Sequence, residues 1–188
     1  DLFPNGALPA LSVLALMGFF FEGLAAGVLS SFLGSIGNSG GLTNVQVGDA
    51  VAVANIAGLG GAFFAVKIGP RYKVSLRLVV SALLFLLANA LLSVELNVYI
   101  YTVGVSLFWF SATLVLINYL SAIAMIDKCG SFVSLAPGIR MLGCSVGPLF
   151  ASFFVTDLGL KVVHIISLFA LLISLWAILL ALYKARVE

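Results

Sequence analysis

Six long apolar stretches constrain this chain more than any other feature of its sequence. They cover approximately residues 8–36, 46–66, 72–94, 97–125, 131–155 and 161–183. Each is long enough to cross a membrane as a helix, which takes about 20 mostly apolar residues. They lack the strict alternation of a membrane barrel strand, and lipid offers no hydrogen-bond partner to an open backbone. The sequence therefore predicts an all-α membrane protein, a single bundle of six transmembrane helices over residues 1–188.

The amino-acid composition excludes several functional classes. Hydrophobic residues make up 63% of the chain and charged residues 9%, whereas about 25% of the residues in a soluble domain are charged. Nine Lys and Arg against seven Asp and Glu form no basic stripe, so we expect no nucleic-acid partner. One His and two Cys are too few for a metal site. We expect an integral protein of a plasma membrane or bacterial inner membrane, with no cofactor and no metal.

The distribution of positive charge predicts the orientation. If the six spans alternate in direction, Lys161 falls on one side and Arg140 lies inside a span. The other seven basic residues fall on the opposite side: Lys67, Arg71, Lys73, Arg77, Lys128, Lys184 and Arg186. Because Lys and Arg accumulate on the cytoplasmic side of membrane proteins, we expect both termini to be cytoplasmic.

The connections between the spans are too short to hold a second domain. Thr43 and Gln46 have the spacing of a capping box, so the second helix is expected to begin there. Gly69 and Pro70 interrupt the helical pattern between the second and third spans.

The second and fifth spans resemble each other. An Asn-Ile-Ala-Gly segment begins at Asn55 and an Arg-Met-Leu-Gly segment begins at Arg140. Small residues that permit close helix packing follow one face of each span: Ala50, Ala54, Gly58 and Ala62 in the second, and Gly143, Gly147 and Ala151 in the fifth. The match relates residues 8–94 to residues 97–183. An odd number of spans in each unit inverts the second copy, so the pattern predicts two inverted three-helix repeats, which are typical of secondary transporters.

The loop between the second and third spans contains a recognisable pattern. Lys67, Gly69 and Arg71 match the later part of Gly-x-x-x-Asp-Arg-x-Gly-Arg-Arg, and Val66 stands in place of the Asp. A loop of this pattern at this place resembles that of the major facilitator superfamily of transporters. The resemblance implies a gating role for Lys67, Gly69 and Arg71.

Two further motifs resemble the same family. Gly143, Gly147 and Pro148 match the Gly-x-x-x-Gly-Pro motif of its fifth or eleventh span, which implies a helix-packing role for these residues. Asp127 and Gly130 match the Asp-x-x-Gly loop that is common before the eleventh span, which adds Asp127 to the gating residues.

The resemblance covers the whole chain and implies one six-helix half of such a transporter. The fourth span, from Tyr99 to Met125, contains no charge, whereas the N-terminal half of the family usually carries an Arg there; we therefore favour the C-terminal half. The chain begins at Asp1 rather than Met, so we expect a segment of a longer protein. The implied partners are a second six-helix half, or a second copy in a homodimer, together with membrane lipids. The implied function is secondary active transport of a small molecule by alternating access.

Glu22 and Arg140 are the first candidates for the transport site. Each lies near the middle of its span, where a charged side chain costs roughly 2.5–3.5 kcal/mol and usually faces a cavity or a partner. Glu22 is a candidate proton-coupling carboxylate, with a neutral or paired structural role as the alternative. Arg140 does not readily lose its proton, so it requires an anion. That anion is either Glu22 or a carboxylate or phosphate of the substrate.

Three uncharged residues are further candidates for the substrate site. Asn55 is expected to hydrogen-bond either the substrate or a neighbouring helix. Trp109 and Asn118, both in the fourth span, are candidates for lining a pocket for an apolar or ring-bearing substrate. The alternative for the aromatic cluster around Trp109 is simple packing or lipid contact.

An intramembrane serine hydrolase is the rival function. Ser145 lies in a Gly-x-Ser-x-Gly string, and His164 is the one His of the chain. The nucleophile elbow requires a strand, a turn and a helix, whereas this string lies inside an apolar helix, so we expect no enzymatic activity. A membrane scaffold that transports nothing is a third alternative, and the charges at Glu22 and Arg140 argue against it.

Overall fold

A computed structural model describes residues 7–94, 96–127 and 130–187 of the chain. Within these ranges the structure contains six α-helices and no strand. They are α1 (Ala7–Ser39), α2 (Asn44–Ile68), α3 (Val74–Ser93), α4 (Val98–Ile126), α5 (Ser131–Leu158) and α6 (Lys161–Val187). All six are long and apolar enough to cross a membrane. The predicted all-α class is confirmed, as is the presence of six helices of membrane-spanning length, and their ends agree with the predicted ones to within a few residues.

Local side-chain contacts determine where two of these helices begin. At α2, the Thr43 hydroxyl oxygen accepts a hydrogen bond from the Gln46 backbone N–H, and the Gln46 side-chain oxygen accepts one from the Thr43 N–H. The predicted capping box is thus confirmed. At α4, the Asn97 side-chain oxygen accepts from the Ile100 N–H at 2.9 Å. Both caps satisfy backbone donors that a helix start leaves free.

The core consists of two apolar clusters, one toward each end of the bundle. We call the end that carries the α2–α3 loop the basic end, because Lys67, Arg71 and Lys73 lie there. The cluster toward the basic end includes Phe19, Leu78, Tyr119, Ile123 and Ile178. The cluster toward the opposite end includes Leu29, Phe85, Tyr101, Phe108 and Leu171. The start of α1 lies in the first cluster and its end in the second, as expected for a helix that crosses the whole bundle.

The helices pack in two groups. Helix α1 packs mainly against α5 and α6, and α4 packs mainly against α2 and α3. The apolar window of α1 is 72% buried inside the bundle, against 22% for α2 and 17% for α5. Helix α1 is therefore central, whereas α2 and α5 lie at the periphery and expose broad faces.

Buried polar side chains join the central helices. Ser174 on α6 donates a hydrogen bond to the Gly18 carbonyl oxygen on α1, and the Tyr119 hydroxyl on α4 bonds to Ser174 at 2.6 Å. Ser167 on α6 donates to the Ala25 carbonyl oxygen on α1 at 3.0 Å. Each bond satisfies a polar group that would be costly to bury alone, so these contacts help to fix α4 and α6 against α1.

The buried residues of α2 follow the predicted small-residue face only in part. Ala62, predicted on that face, is half-buried. A helix repeats every 3.6 residues rather than every four, so the stripe moves around the helix along its length. Its buried residues are Ala50, Ala54, Gly58, Gly61 and Ala65.

Candidate functional site

Helices α1 and α5 cross in direct backbone contact. A Cβ atom added at Gly23 would collide with the carbonyl oxygen of Arg140, and one added at Gly143 would collide with that of Phe20. Gly27 and Gly147 continue the same contact one turn further along the two helices. Small residues at four-residue spacing allow such an approach in membrane bundles. The residues before and after these glycines are therefore brought close together across the interface.

Pro148 leaves one backbone carbonyl of α5 without its usual helical hydrogen bond at this crossing. Because proline lacks an N–H, the carbonyl oxygen of Cys144 has no donor one turn ahead in α5. That carbonyl lies against Gly27 of α1. A carbonyl facing a glycine Cα in this way is typical of weak Cα–H···O contacts at helix interfaces; a packing role for Pro148 itself stays a prediction.

The crossing brings Glu22 and Arg140 into an ion pair. The Arg140 Nε donates a hydrogen bond to Glu22 Oε2 at 2.7 Å, and Nη2 approaches Oε1 at 3.4 Å. Glu22 precedes Gly23, and Arg140 lies three residues before Gly143, so both side chains start from the region of closest backbone approach. The two-point contact uses the planar fork of the guanidinium, which fixes the orientation of both groups.

The two charges of the pair are not equally buried. Glu22 is fully buried, whereas the side chain of Arg140 keeps 13% of its surface exposed. Glu22 also lies between Phe19 of one core cluster and Ala25 of the other, which places it near the middle of the bundle. Removal of either partner from a buried pair leaves an uncompensated charge. Any movement that separates the helices must therefore supply each group with a new partner or neutralise it.

Cys144 is a further neighbour of this pair, and its place beside the pair was not predicted. It lies one helical turn after Arg140, is half-buried, and is a free cysteine. The four-residue spacing from Arg140 was the available signal, because such residues share a helix face. The thiol therefore offers a chemical reporter beside the ion pair.

The structure places Asn55 on the exposed face of α2. Its side-chain amide donates to the Val51 carbonyl oxygen in the same helix at 3.0 Å. Of the two predicted partners, substrate or neighbouring helix, the second is not found among the described residues.

Trp109 lies where α4 meets α2. Its side chain is half-buried, and its backbone carbonyl and Cβ lie near Gly58. The ring packs edge-on against Phe108. The indole Nε1 is buried and has no hydrogen-bond acceptor among the residues described. A buried donor without an acceptor is rare in folded proteins, so Trp109 remains a candidate for binding a ligand.

Asn118 lies apart from Trp109 and contacts α3 instead. Its side-chain oxygen accepts from Arg77 Nη1 at 3.2 Å, and its amide approaches the Arg77 carbonyl oxygen at 3.4 Å. Arg77 lies inside α3, within the predicted third span, and is half-buried.

Asp127 anchors the start of α5. Its carboxylate accepts hydrogen bonds from the backbone N–H groups of Gly130, Phe132 and Val133, at 3.1, 2.7 and 2.9 Å. A negative charge at a helix start is favourable because the free N–H groups and the helix dipole both attract it. Asp127 therefore has a structural role, which neither requires nor excludes the predicted gating role.

The other predicted gating residues are exposed or lie at a helix end. Lys67 is exposed, with its ammonium nitrogen 6.0 Å from the centre of the Phe63 ring. Gly69 ends α2 and donates its N–H to the Ala65 carbonyl oxygen at 2.8 Å. Arg71 is exposed in the following turn.

Ser145 and His164 have separate partners. The Ser145 hydroxyl donates to the Met141 carbonyl oxygen in its own helix at 3.0 Å. The Nδ1 of His164 lies 2.7 Å from the side-chain oxygen of Asn89 on α3. No observation among the described residues brings the two into a nucleophile–base arrangement.

Comparison of the chain with protein-family models and with curated protein sequences gives no match.

Proposed function

We propose that the chain is one six-helix half of a secondary active transporter of the major facilitator type. The observation that carries the proposal is the ion pair of Glu22 and Arg140 between two helices of membrane-spanning length. Charges at this depth are costly to insert into a membrane, and they commonly mark substrate pathways and proton relays. A passive bundle has little reason to retain them.

The packing supports an arrangement of α1–α3 and α4–α6 as inverted repeats. Exchange of α1 with α4, α2 with α5 and α3 with α6 converts one half of the packing into the other. The contact of α1 with α5 becomes that of α4 with α2, and the contact of α1 with α6 becomes that of α4 with α3; all four are main contacts of the bundle. Inverted repeats allow two equivalent conformations that open to opposite sides of the membrane.

A second half would cover the peripheral helices. The exposed face of α2 carries Asn55, and that of α5 carries Ser145 and Ser152. Polar side chains within membrane-spanning helices usually face a bundle interior or a water-filled cavity rather than lipid. A second six-helix half, or a second copy of the chain, placed against α2 and α5 would enclose such a cavity, with Arg140 at its edge.

In the proposed mechanism the ion pair couples protons to an anionic substrate. When Glu22 takes up a proton, it attracts Arg140 less strongly, and the guanidinium becomes free to bind a carboxylate or phosphate of the substrate. Arg140 keeps its own charge throughout. When the substrate leaves and Glu22 releases its proton, the pair forms again. The buried indole N–H of Trp109 is a further donor that the substrate would use. We place both termini and the basic end in the cytoplasm.

The proposal is tested by proton movement in proteoliposomes. Vesicles containing the protein and the internal pH dye pyranine receive succinate or glucose 6-phosphate on the outside. We expect at least one of these anions to cause proton entry with the unaltered protein. Glu22→Gln and Arg140→Gln should abolish that entry. Asp157→Asn, a matched loss of an exposed carboxylate on α5, should leave it intact.

Two results would contradict the proposal. One is proton entry that is unchanged in both Glu22→Gln and Arg140→Gln. The other is a failure of Cys144 to change its accessibility. In a Cys129→Ser background, a membrane-impermeant maleimide should label Cys144 at different rates with and without a proton gradient, because alternating access opens the region beside Arg140 to one side at a time.

A further inference from the structure

A cavity of about 270 Å³ lies between α2 and α3, with α4 as its floor. It far exceeds the roughly 10–15 Å³ that one water molecule needs on a comparable measure. Most of its wall is apolar, and Phe64, Leu76 and Val80 on that wall are also exposed at the surface. The cavity therefore opens on the lateral apolar surface of the bundle, toward its basic end.

Arg77 supplies the charge in this cavity. Its Nη1 donates to the Asn118 side-chain oxygen, but its Nε is buried and has no hydrogen-bond acceptor in the part of the chain that the structure describes. Arg77 also makes no ion pair within those residues. A guanidinium stays charged, and a buried donor without an acceptor is costly. An anion in the cavity would supply the missing counter-charge of the Arg77 guanidinium.

We propose that this cavity binds the phosphate headgroup of an anionic membrane phospholipid. Arg77 donates to the phosphate oxygens while Asn118 holds the guanidinium in place. The acyl chains lie along the exposed apolar side chains of Phe64, Leu76 and Val80. Lys67 and Lys73 lie exposed at the same end of the bundle, and clustered basic residues attract anionic lipid headgroups. This site is separate from the Glu22–Arg140 pair, and its existence does not depend on transport.

A soluble phosphate ester offers the same headgroup chemistry, but the cavity favours the lipid. A hydrated ion gains nothing from walls that are mainly apolar, whereas a lipid covers them with its chains. The lateral opening also allows a lipid to keep its chains in the membrane while its phosphate reaches Arg77.

The test compares lipid binding by the full chain and four variants. Native mass spectrometry in detergent measures retention of phosphatidylglycerol, phosphatidylcholine and free sn-glycerol 3-phosphate. Arg77→Gln removes the charge, and Arg77→Lys keeps the charge but loses the planar fork. Val80→Trp fills the cavity and leaves Arg77 in place. Arg71→Gln is the matched control, because it removes an exposed positive charge at the same end of the bundle.

We expect the unaltered protein to retain phosphatidylglycerol in preference to phosphatidylcholine. Arg77→Gln should weaken that binding about tenfold or more, because it removes charge-assisted hydrogen bonds. Val80→Trp should weaken it without a loss of charge, and Arg77→Lys should lie in between. Arg71→Gln should have an effect of less than about fivefold.

Several results would overturn the site. Equal retention of the two lipids would exclude recognition of an anionic headgroup. Binding of sn-glycerol 3-phosphate as tight as that of phosphatidylglycerol would assign the cavity to a soluble ester. Unchanged lipid binding in Val80→Trp would place the lipid elsewhere, and this holds even if Arg77→Gln fails to fold.

Discussion

Arg140 is the more exposed member of its ion pair with Glu22. Glu22 is fully buried and its carboxylate is held by the Arg140 guanidinium through Nε and Nη2, while Arg140 alone of the two remains partly exposed. A substrate anion approaching from α5 would therefore reach Arg140 first, and a proton bound for Glu22 would have to pass beside it. The order of burial makes Arg140 the outer and Glu22 the inner group of the proposed coupling site.

Disruption of this pair should be more costly than its complete removal. Glu22→Gln and Arg140→Gln should each lower the free energy of unfolding by about 3–5 kcal/mol, because one buried charge loses its partner. The double variant Glu22→Leu/Arg140→Met should be close to the unaltered protein in stability, since it leaves no charge, and should have no proton-coupled transport. The free energy of unfolding of the three variants is measured in detergent. A double variant less stable than either single variant would contradict the pairing.

The close crossing of α1 and α5 predicts opposite outcomes for two glycines of the same helix. Gly143→Ala should destabilise the protein by roughly 1–3 kcal/mol, because the new methyl group collides with the Phe20 carbonyl oxygen. Gly138→Ala is the control: its Cβ meets nothing within 4 Å, and Ala favours a helix by about 0.5–1 kcal/mol. Thermal unfolding in the same detergent compares them. A stable Gly143→Ala protein would argue against backbone contact at this position.

Variants of Trp109 and Tyr119 can distinguish a binding role from a structural one, because of the two groups the Tyr119 hydroxyl has a hydrogen-bond partner among the described residues and the Trp109 indole N–H has none. Tyr119→Phe loses its hydrogen bond to Ser174 and should lower stability by about 1 kcal/mol. Trp109→Phe removes a buried N–H that has no acceptor in the described residues, so no hydrogen bond is lost on the protein side.

If the substrate accepts a hydrogen bond from Trp109, the KM of transport should rise when the indole N–H is removed. For Trp109→Phe we expect KM to rise about tenfold, which corresponds to the loss of one hydrogen bond to a charged group. For Tyr119→Phe we expect KM to stay within about twofold, because its hydroxyl bonds to Ser174 inside the core. The anion that gives proton entry in proteoliposomes serves as the substrate. An unchanged KM in Trp109→Phe would assign the indole to packing.

Asp127 should contribute more to the stability of the protein than an ordinary surface carboxylate does, because it caps the start of α5. Asp127→Ala removes an acceptor of three backbone N–H groups and should lower stability by about 0.5–2 kcal/mol, as the loss of a helix cap does. Asp49→Ala, at an exposed position on α2, should change it by less than about 0.5 kcal/mol. Amide hydrogen exchange should become faster at Phe132 and Val133 in Asp127→Ala alone. Equal amide hydrogen exchange at Phe132 and Val133 in the two variants would argue against a capping role for Asp127.

The sequence by itself determined the number of helices, their approximate ends and the cap of α2. These features depend on interactions within a short stretch of chain: about 20 apolar residues for a span, and the three-residue spacing of Thr43 and Gln46 for the capping box. The depth of Glu22 and Arg140 along their helices was also readable, because the helix rise per residue is fixed.

Only the tertiary structure decided which side chains meet. Glu22 and Arg140 are 118 residues apart in the chain, and the sequence left open whether Arg140 pairs with Glu22 or binds an anionic group of the substrate. Their contact depends on the collision-free approach of two glycine-lined backbones, which no local pattern specifies. The same is true of Arg77, whose charge was visible in the sequence, while the apolar cavity beside it and the missing acceptor of its Nε arise from how α2 and α3 pack on α4.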